Sequence, residues 1–391
     1  MFFFTKNDKI NKESSDKMRD TYALINLKNL KENIQEIKEK YNNYKYYIGV
    51  VKANAYGHGN YLVKALEQSG INYLAVSSLE EAIDVRKYTN LPILCFGYVN
   101  LKDIDIVIKQ DITLSIISYE YFKELIEINP KIKVHLKINT GMNRFGVKSE
   151  EQVLEIVKKL EKSNMELEGI YTHLATSGVS DTYYDYQIEQ FKKITSKIDL
   201  NKIKIVHLFN SLALTRHKKL SFANGVRLGL IMYGFSYSVG ELKFLAKLKR
   251  KFKLKGKKIS STTLTNDLKL KKVLSLHSEV VNINKIEKNE FVGYNAKFIA
   301  HKKCYIATIS IGHADGITDS YKKVKINNIT YPIIGICMDY IMVLVDEKVK
   351  IHDKVTLIGE GITVGMIATP NDTPHHVLVS ITDRVKRKYE E

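Results

Sequence analysis

YYIGVVKANAYGHG, residues 46–59, divides into two halves of different character. Residues 46–51 are apolar in succession and bounded by polar neighbours, the pattern of a short strand covered on both faces. From Lys52 onward the residues are small and turn-prone, so the lysine stands where the strand gives way to a loop. Upstream, Leu27, Leu30, Ile34, Ile37 and Tyr41 recur at three- and four-residue steps, the stripe of an amphipathic helix. Downstream the alternation repeats, with apolar runs at 73–77, 93–97, 113–117, 133–138, 169–173, 203–208 and 227–233, and helical stripes between them such as Val153, Ile156, Val157 and Leu160. Together with 46–51 these make eight candidate strands over roughly 200 residues, the length of a (β/α)8 TIM barrel. A doubly wound open sheet would give similar runs, and periodicity alone leaves both open.

Beyond about residue 240 the texture changes. Residues 243–258 are crowded with Lys and Arg, and no acidic residue falls between Leu242 and Asp267. Like charges repel, and only Phe244 and Phe252 interleave, so a solvated insertion is expected rather than a surface that stacks bases. From Val273 onward, segments rich in Val, Ile and Tyr are broken by Gly, Asn and Asp, which reads as a mainly β domain. The expected organisation is a flexible N-terminal extension over 1–20, an α/β barrel over 21–239, a Lys-rich insertion or linker over 240–272 and a β domain over 273–391.

The chain has 391 residues, 44% of them apolar and 10% aromatic, enough to bury a full core, so wholesale disorder and a disulfide-stapled miniprotein are both excluded. Its 61 Lys and Arg against 43 Asp and Glu leave a formal charge of +18, which suits anionic partners but also arises from a Lys-rich composition with no partner at all. No nucleic-acid recognition module is present, so no such partner is expected. Cys95, Cys304 and Cys337 are odd in number and form no CxxC, which fits a reducing, cytoplasmic setting. The opening MFFF is followed at once by Lys6, Asp8 and Lys9, so no signal-peptide core forms; no later run is apolar for long enough to span a membrane.

A lysine desolvated at a barrel mouth has a lowered pKa, and its free amine can attack a carbonyl and move protons. GVVKANAYGHG at 49–59 puts Lys52 in that place. The string is followed in order by HLKINTGMNRFGV at 135–147, YTHLATSG at 171–178, HLFNSLA at 207–213 and GVRLGLIMYG at 225–234. FVGYNAKF at 291–298, GHADG at 312–316, GICMDY at 335–340 and HHVLVSITDRVKR at 375–387 complete the series. Over residues 23–387 this series resembles the alanine racemase family, two-domain pyridoxal 5'-phosphate (PLP) enzymes built from a barrel and a C-terminal β domain.

The resemblance implies that Lys52 holds PLP as a Schiff base and serves as one catalytic base, with Tyr56 beside the phosphate. It places Asn210 and Ser211 near the phosphate as well, and brings the backbone of Gly229 and Leu230 up to it. His173 becomes a relay residue beneath the cofactor ring. Arg144 would orient the phenolate oxygen and the substrate carboxylate, and Lys137 matches a lysine that can be carbamylated to hold that arginine. Arg227 would face the pyridine nitrogen; a guanidinium cannot hand over its proton, so the ring stays a weak electron sink suited to removing and returning an α-proton. Tyr294 takes the place of the second base, supplied by the other subunit of a homodimer. Cys337, Met338 and Asp339 match residues that reach the substrate carboxylate in the partner's site, His313 falls in the entrance segment, and His375 sits on the closing strand near the phosphate. No metal is called for.

The implied reaction is interconversion of L- and D-alanine by two bases, supplying D-alanine for peptidoglycan, in a cytoplasmic enzyme with a small-molecule substrate and no membrane partner. Three positions depart from the pattern. Asn139 stands where the family usually has an acidic residue, and His313 and His375 stand where it has Tyr. A pocket that loses a phenol ring can admit a larger or more polar side chain, so a serine or broad-specificity racemase is the alternative within the fold. A PLP-binding protein without turnover is the alternative outside enzymes.

Overall fold

In the computed structural model, which describes residues 19–177, 181–235, 268–368 and 373–391, the described residues fall into two compact units. One is drawn from the described residues of 27–273; the other combines residues 19–26 with the described residues of 274–390.

Strand β1 (Tyr22–Asn26) leads into helix α1 (Leu27–Lys40), which buries Leu27, Leu30, Ile34 and Ile37 along one stripe. Eight strands then pair in parallel: β2 (Tyr46–Val50), β3 (Tyr73–Val76), β4 (Ile93–Cys95), β5 (Ile112–Ile116), β6 (Lys133–Lys137), β7 (Glu166–Tyr171), β8 (Ile205–Asn210) and β9 (Gly225–Leu228). Strand β9 returns to β2, with Ile48 opposite Arg227, and closes the barrel. Closure settles what periodicity left open. Outer helices follow the expected stripes: helix Glu150–Leu160 is capped by Ser149, whose Oγ accepts from the Gln152 N–H, and it buries Val153, Ile156 and Leu160.

Two boundaries differ from the reading of the sequence. Residues 230–233 look like the end of a strand, yet β9 stops at Leu228 and the chain turns, with Met232 N–H donating to Gly229 O at 3.0 Å and Tyr233 N–H to Leu230 O at 3.1 Å. The run is apolar because it is a buried turn. Residues 22–26, expected within the barrel domain, belong to the β unit instead: β1 is antiparallel to β10 (Leu274–Ile286) and parallel to the C-terminal strand Lys386–Glu390. Its burial alternates, Ala23 and Ile25 inward, as a strand covered on one face requires, whereas barrel strand β5 is buried throughout.

The β unit continues from β10 through the short hairpin β11 (Phe291–Val292) and β12 (Phe298–Ile299) to β13 (Cys304–Ile309), β14 (Lys323–Ile326), β15 (Ile329–Ile336), β16 (Ile341–Val345), β17 (Lys354–Ile358) and β18 (Lys386–Glu390). Because β10 is long enough to pair with both β17 and β13, six strands are linked in a closed circuit, with β1 and β18 added beyond β10. His375, expected on the closing strand, lies on helix Pro374–Val379; the closing strand is β18. Proline at the first position starts that helix, since its missing N–H would have no helical partner there. The Lys-rich tract 243–258 and residues 1–18 of the expected N-terminal extension lie outside the described residues. Among the described residues no helix is long and apolar enough to cross a membrane.

Candidate active site

The expected cofactor residues of the barrel unit sit at the C-terminal ends of its strands. Lys52 begins a helical segment, Lys52–Tyr56, in which Ala53, Asn54, Ala55 and Tyr56 all adopt left-handed backbone with φ of 52–53°. Left-handed residues with a Cβ cost roughly 1–2 kcal/mol each, so four in succession must be held from outside. The Glu81 carboxylate does this, accepting from Ala53 N–H at 2.7 Å through one oxygen and from Ser77 N–H at 2.7 Å through the other. The turn thereby fixes where Lys52 leaves the strand. Glu81 carried no signal in the sequence beyond a helical acid; only its contacts reveal it.

Lys52 is half-buried, and burial followed by the charge of Arg144 lowers its amine, with Glu81 opposing. Lys137, at the end of β6, is buried with its ammonium 5.3 Å from the Phe145 ring and 5.5 Å from the Tyr171 ring. Burial and then Arg144, Arg227 and Lys52 push it down to about 7. His173 is held down to about 3 by burial and by Arg227, Arg144, Lys137 and Lys52. Lys52, Lys137, Arg144 and Arg227 therefore form a concentration of positive charge around a neutral His173, a setting that favours anions. Arg144 is exposed on the loop after β6, which Asn139 shapes by accepting from the N–H groups of Gly141 and Asn143, each at 3.1 Å. Asn139 thus caps the loop with a neutral oxygen where the family pattern has a charge.

Arg227 is buried on β9 and donates four hydrogen bonds: Nη1 to His207 Nδ1 at 2.8 Å and His207 O at 2.7 Å, Nη2 to Thr172 O and Leu208 O, both at 2.8 Å. A guanidinium has five N–H donors, so the Nε–H is the one left for a ligand. Burial lowers this guanidinium to about 10, which leaves it cationic at neutral pH. His207, to which the sequence assigns no role, stacks its ring on Tyr171 at 4.7 Å and 8° and accepts from Arg227.

Beside it, Gly229 N–H donates to Ser211 Oγ at 2.9 Å, and a Cβ placed on Gly229 would meet Tyr56 Oη at 3.2 Å. A side chain here would make the Tyr56 hydroxyl give by a few tenths of an ångström, so the glycine keeps these two hydroxyls and the backbone close together. Asn210 caps the helix Ser211–Arg216, its Oδ1 accepting from Ala213 N–H at 3.0 Å, and Leu230 is buried. A nucleophilic amine with lowered pKa, a nest of cations, clustered hydroxyl and amide donors and one spare guanidinium N–H are the donor set that the aldehyde, phosphate, phenolate and ring nitrogen of PLP require. The residues fit the cofactor.

In the β unit, Tyr294 heads a short turn between β11 and β12 and is 75% exposed. His313 and Cys337 are stitched together, His313 N–H donating to Cys337 O at 3.0 Å and Ala314 N–H to Met338 O at 2.8 Å. Asp315, fully buried, ties this pair of turns down: it accepts both Nη groups of Arg19, at 3.0 and 2.7 Å, and the Gly312 N–H at 2.9 Å. Asp339 accepts from Arg384 Nη2 at 2.8 Å. Met338 is 63% exposed, and His375 Nδ1 lies 3.2 Å from Thr373 Oγ1. Among the described residues no group of His, Cys, Asp and Glu could hold a metal ion.

Comparison with known proteins matches residues 25–237 to the family model for the alanine racemase N-terminal domain and residues 273–389 to that for the alanine racemase C-terminal domain. The chain belongs to the alanine racemase family. It is 35% identical to alanine racemase 1 of Bacillus subtilis, covering 95% of this chain and 93% of that one. Among solved structures, the alanine racemase of Clostridium difficile superposes with a TM-score of 0.84 at 34% identity, over 95% of both chains. A histidine racemase from Leuconostoc mesenteroides is similar at 25% identity and a TM-score of 0.81, over 96% of this chain and 99% of that one. As a member of the alanine racemase family, the chain is an isomerase of the racemase type that uses PLP.

The site's buried groups set a pH dependence for this racemase. Burial holds His135, His173 and His207 below the ordinary histidine value, so between their folded values and about 6.5 the unfolded chain binds protons that the folded chain refuses. Stability therefore rises with pH across that window and is lost as pH falls. Glu168 adds in the same direction: burial would raise it, but hydrogen bonds from His135, Lys204 and Tyr73 outweigh that and hold it at about 2. Urea midpoints are expected to fall between about pH 7 and about pH 5 and further below, whereas a flat profile would contradict these environments.

Proposed function

We propose that the enzyme interconverts L- and D-alanine with two bases on opposite faces of the substrate, Lys52 and Tyr294, Tyr294 coming from the partner subunit of a homodimer. The observation that carries the reading is Lys52 itself, a half-buried amine with lowered pKa, set at a barrel mouth beside cations, in a chain whose relatives over nearly their full length are named alanine racemases. When bound, PLP supplies an aldehyde for amine attachment and a conjugated ring into which charge from the substrate's Cα can spread. The residues do the rest. Lys52 Nζ removes or returns the α-proton on one face; Tyr294 Oη does so on the other. Arg144 meets the substrate carboxylate, with Cys337, Met338 and Asp339 of the partner chain completing that side. Arg227 presents its Nε–H to the ring nitrogen and keeps its proton, which restrains side reactions.

The dimer reading is supported by the exposure of large apolar side chains on the segments that carry these groups, Phe291, Tyr294, Met338 and Tyr340, which is costly in a lone chain. The three free cysteines favour a cytoplasmic setting, where the product would supply peptidoglycan synthesis. A second reading, a racemase that also accepts serine or a larger polar amino acid, is favoured by His313. Its Nδ1 lies 2.8 Å from Ile317 O and so carries a proton, leaving Nε2 as the ring's second polar atom where the family has a phenol.

Proton NMR in deuterated water, run on alanine, serine, histidine and other single amino acids, tests both readings. Exchange of the α-proton with inversion for alanine above all others supports the first; a faster rate for a polar amino acid supports the second. Tyr294→Phe is expected to lower kcat/KM by about 10²-fold or more, equally in both directions because the equilibrium constant between enantiomers is one, while exchange of the α-proton without inversion persists for the enantiomer whose proton faces Lys52. Unchanged rates in both directions would remove Tyr294 from the mechanism.

A further inference from the structure

Behind Arg227 runs a row of buried side chains that the reaction as described does not use. His207 Nε2 lies 3.0 Å from His135 Nδ1, and His135 Nε2 lies 3.4 Å from Glu168 Oε2. Glu168 also accepts from Tyr73 Oη at 2.6 Å and from Lys204 Nζ at 2.7 Å. His135 and His207 are fully buried and Glu168 is 1% exposed, while the side chain of Lys204, just ahead of β8, is half in solvent. The row thus crosses the barrel interior from the mouth toward the opposite end.

Its hydrogens have one consistent arrangement. Arginine only donates, so His207 Nδ1 must be bare and the proton of the neutral ring must sit on Nε2. That N–H donates to His135 Nδ1, which must then be bare as well, and His135 donates through Nε2 to the carboxylate, which only accepts. Protonating His135 would set two N–H groups head to head. The space is built for this ring: a Cβ on Gly169 would lie 2.5 Å from His135 Cε1 and Nδ1.

We propose that His135 and Glu168 are positioning residues that act through His207 to hold Arg227 charged and correctly turned toward its ligand. A carboxylate at the far end favours every donor in the row pointing away from Arg227, so His207 always offers the guanidinium a lone pair. The catalytic consequence rests on the racemase reading; the arrangement of the row does not.

The test is nitrogen-15 NMR of the holoenzyme carrying labelled histidine, with racemase kinetics and visible absorption of the bound cofactor on wild type and Glu168→Gln. Wild type is expected to show both histidines neutral with Nδ1 bare and Nε2 protonated from about pH 6 to about pH 9, coupled to each other across their shared hydrogen bond. Either ring in the opposite tautomer or charged in that range overturns the proposal, whatever the variant does. In E168Q the tautomers should mix, the cofactor band should shift, and kcat should fall about tenfold in both directions while KM stays within about twofold. An E168Q enzyme with unshifted band and unchanged kcat overturns the positioning role. Should E168Q not fold, Gly169→Ala displaces the His135 ring without changing any charge and is expected to move the same three readouts. The stated tautomers in a chain that inverts no amino acid would support the row and overturn the racemase reading instead.

Discussion

Lys52→Ala is expected to lower racemisation in both directions by about 10⁴-fold or more, because one side chain both anchors the cofactor and moves the proton. The fold should hardly notice. Lys52 is half-buried, and the left-handed turn after it is held through backbone contacts, Ala53 N–H to Glu81 and Gly57 N–H to Ala53 O, that the substitution leaves in place. Circular dichroism and the apoprotein's urea midpoint should therefore match wild type while activity is lost. Added small amines should restore a part of the rate, since they return a free base to the cavity without the tether. A variant retaining more than about a hundredth of wild-type kcat would show that proton transfer at this face belongs to another group.

Arg227→Met is expected to cost about 3–5 kcal/mol of stability, the scale for removing one partner from a buried charged network. Three carbonyl oxygens, of Thr172, His207 and Leu208, and the Nδ1 of His207 would lose their donors at once, in an interior closed to water. Arg227→Lys should recover only part of this. An ammonium has three donors on one point rather than a fork, and cannot reach carbonyls on β8 and beyond β7 together. Urea unfolding of the apoproteins separates this structural loss from any loss of cofactor, and a destabilisation under about 1 kcal/mol for R227M would mean the pocket relaxes around the missing fork.

The barrel was legible because its strands are covered on both faces, and burial on both faces writes consecutive apolar residues into the chain. The same rule misled at residues 230–233, where a buried turn is as apolar as a strand, and offered nothing for Tyr22–Asn26, whose partners β10 and β18 lie at the other end of the chain. His375 followed a resemblance in position rather than the local signal of Pro374. Of the residues proposed for the reaction, Lys52, Arg144, Tyr294 and Arg227 stand out in the sequence because each lies in a distinctive local string. Glu81 and Glu168 lie in no such string, and His135, His207 and Asp315 lie in strings that give them no role, since the contacts that matter reach residues of other strands or loops.

The sequence by itself determined the alternation of elements, the β-rich second part and which local strings bear the family's chemistry, because periodicity and short motifs are properties of neighbouring residues. Only the tertiary structure decided that the sheet closes, that β1 joins the C-terminal strands, and that Arg227 is backed by His207, His135 and Glu168. Those facts depend on strand register and on which side chains turn inward across a barrel, and a hydrogen bond between strands far apart in the chain leaves no periodic trace in it.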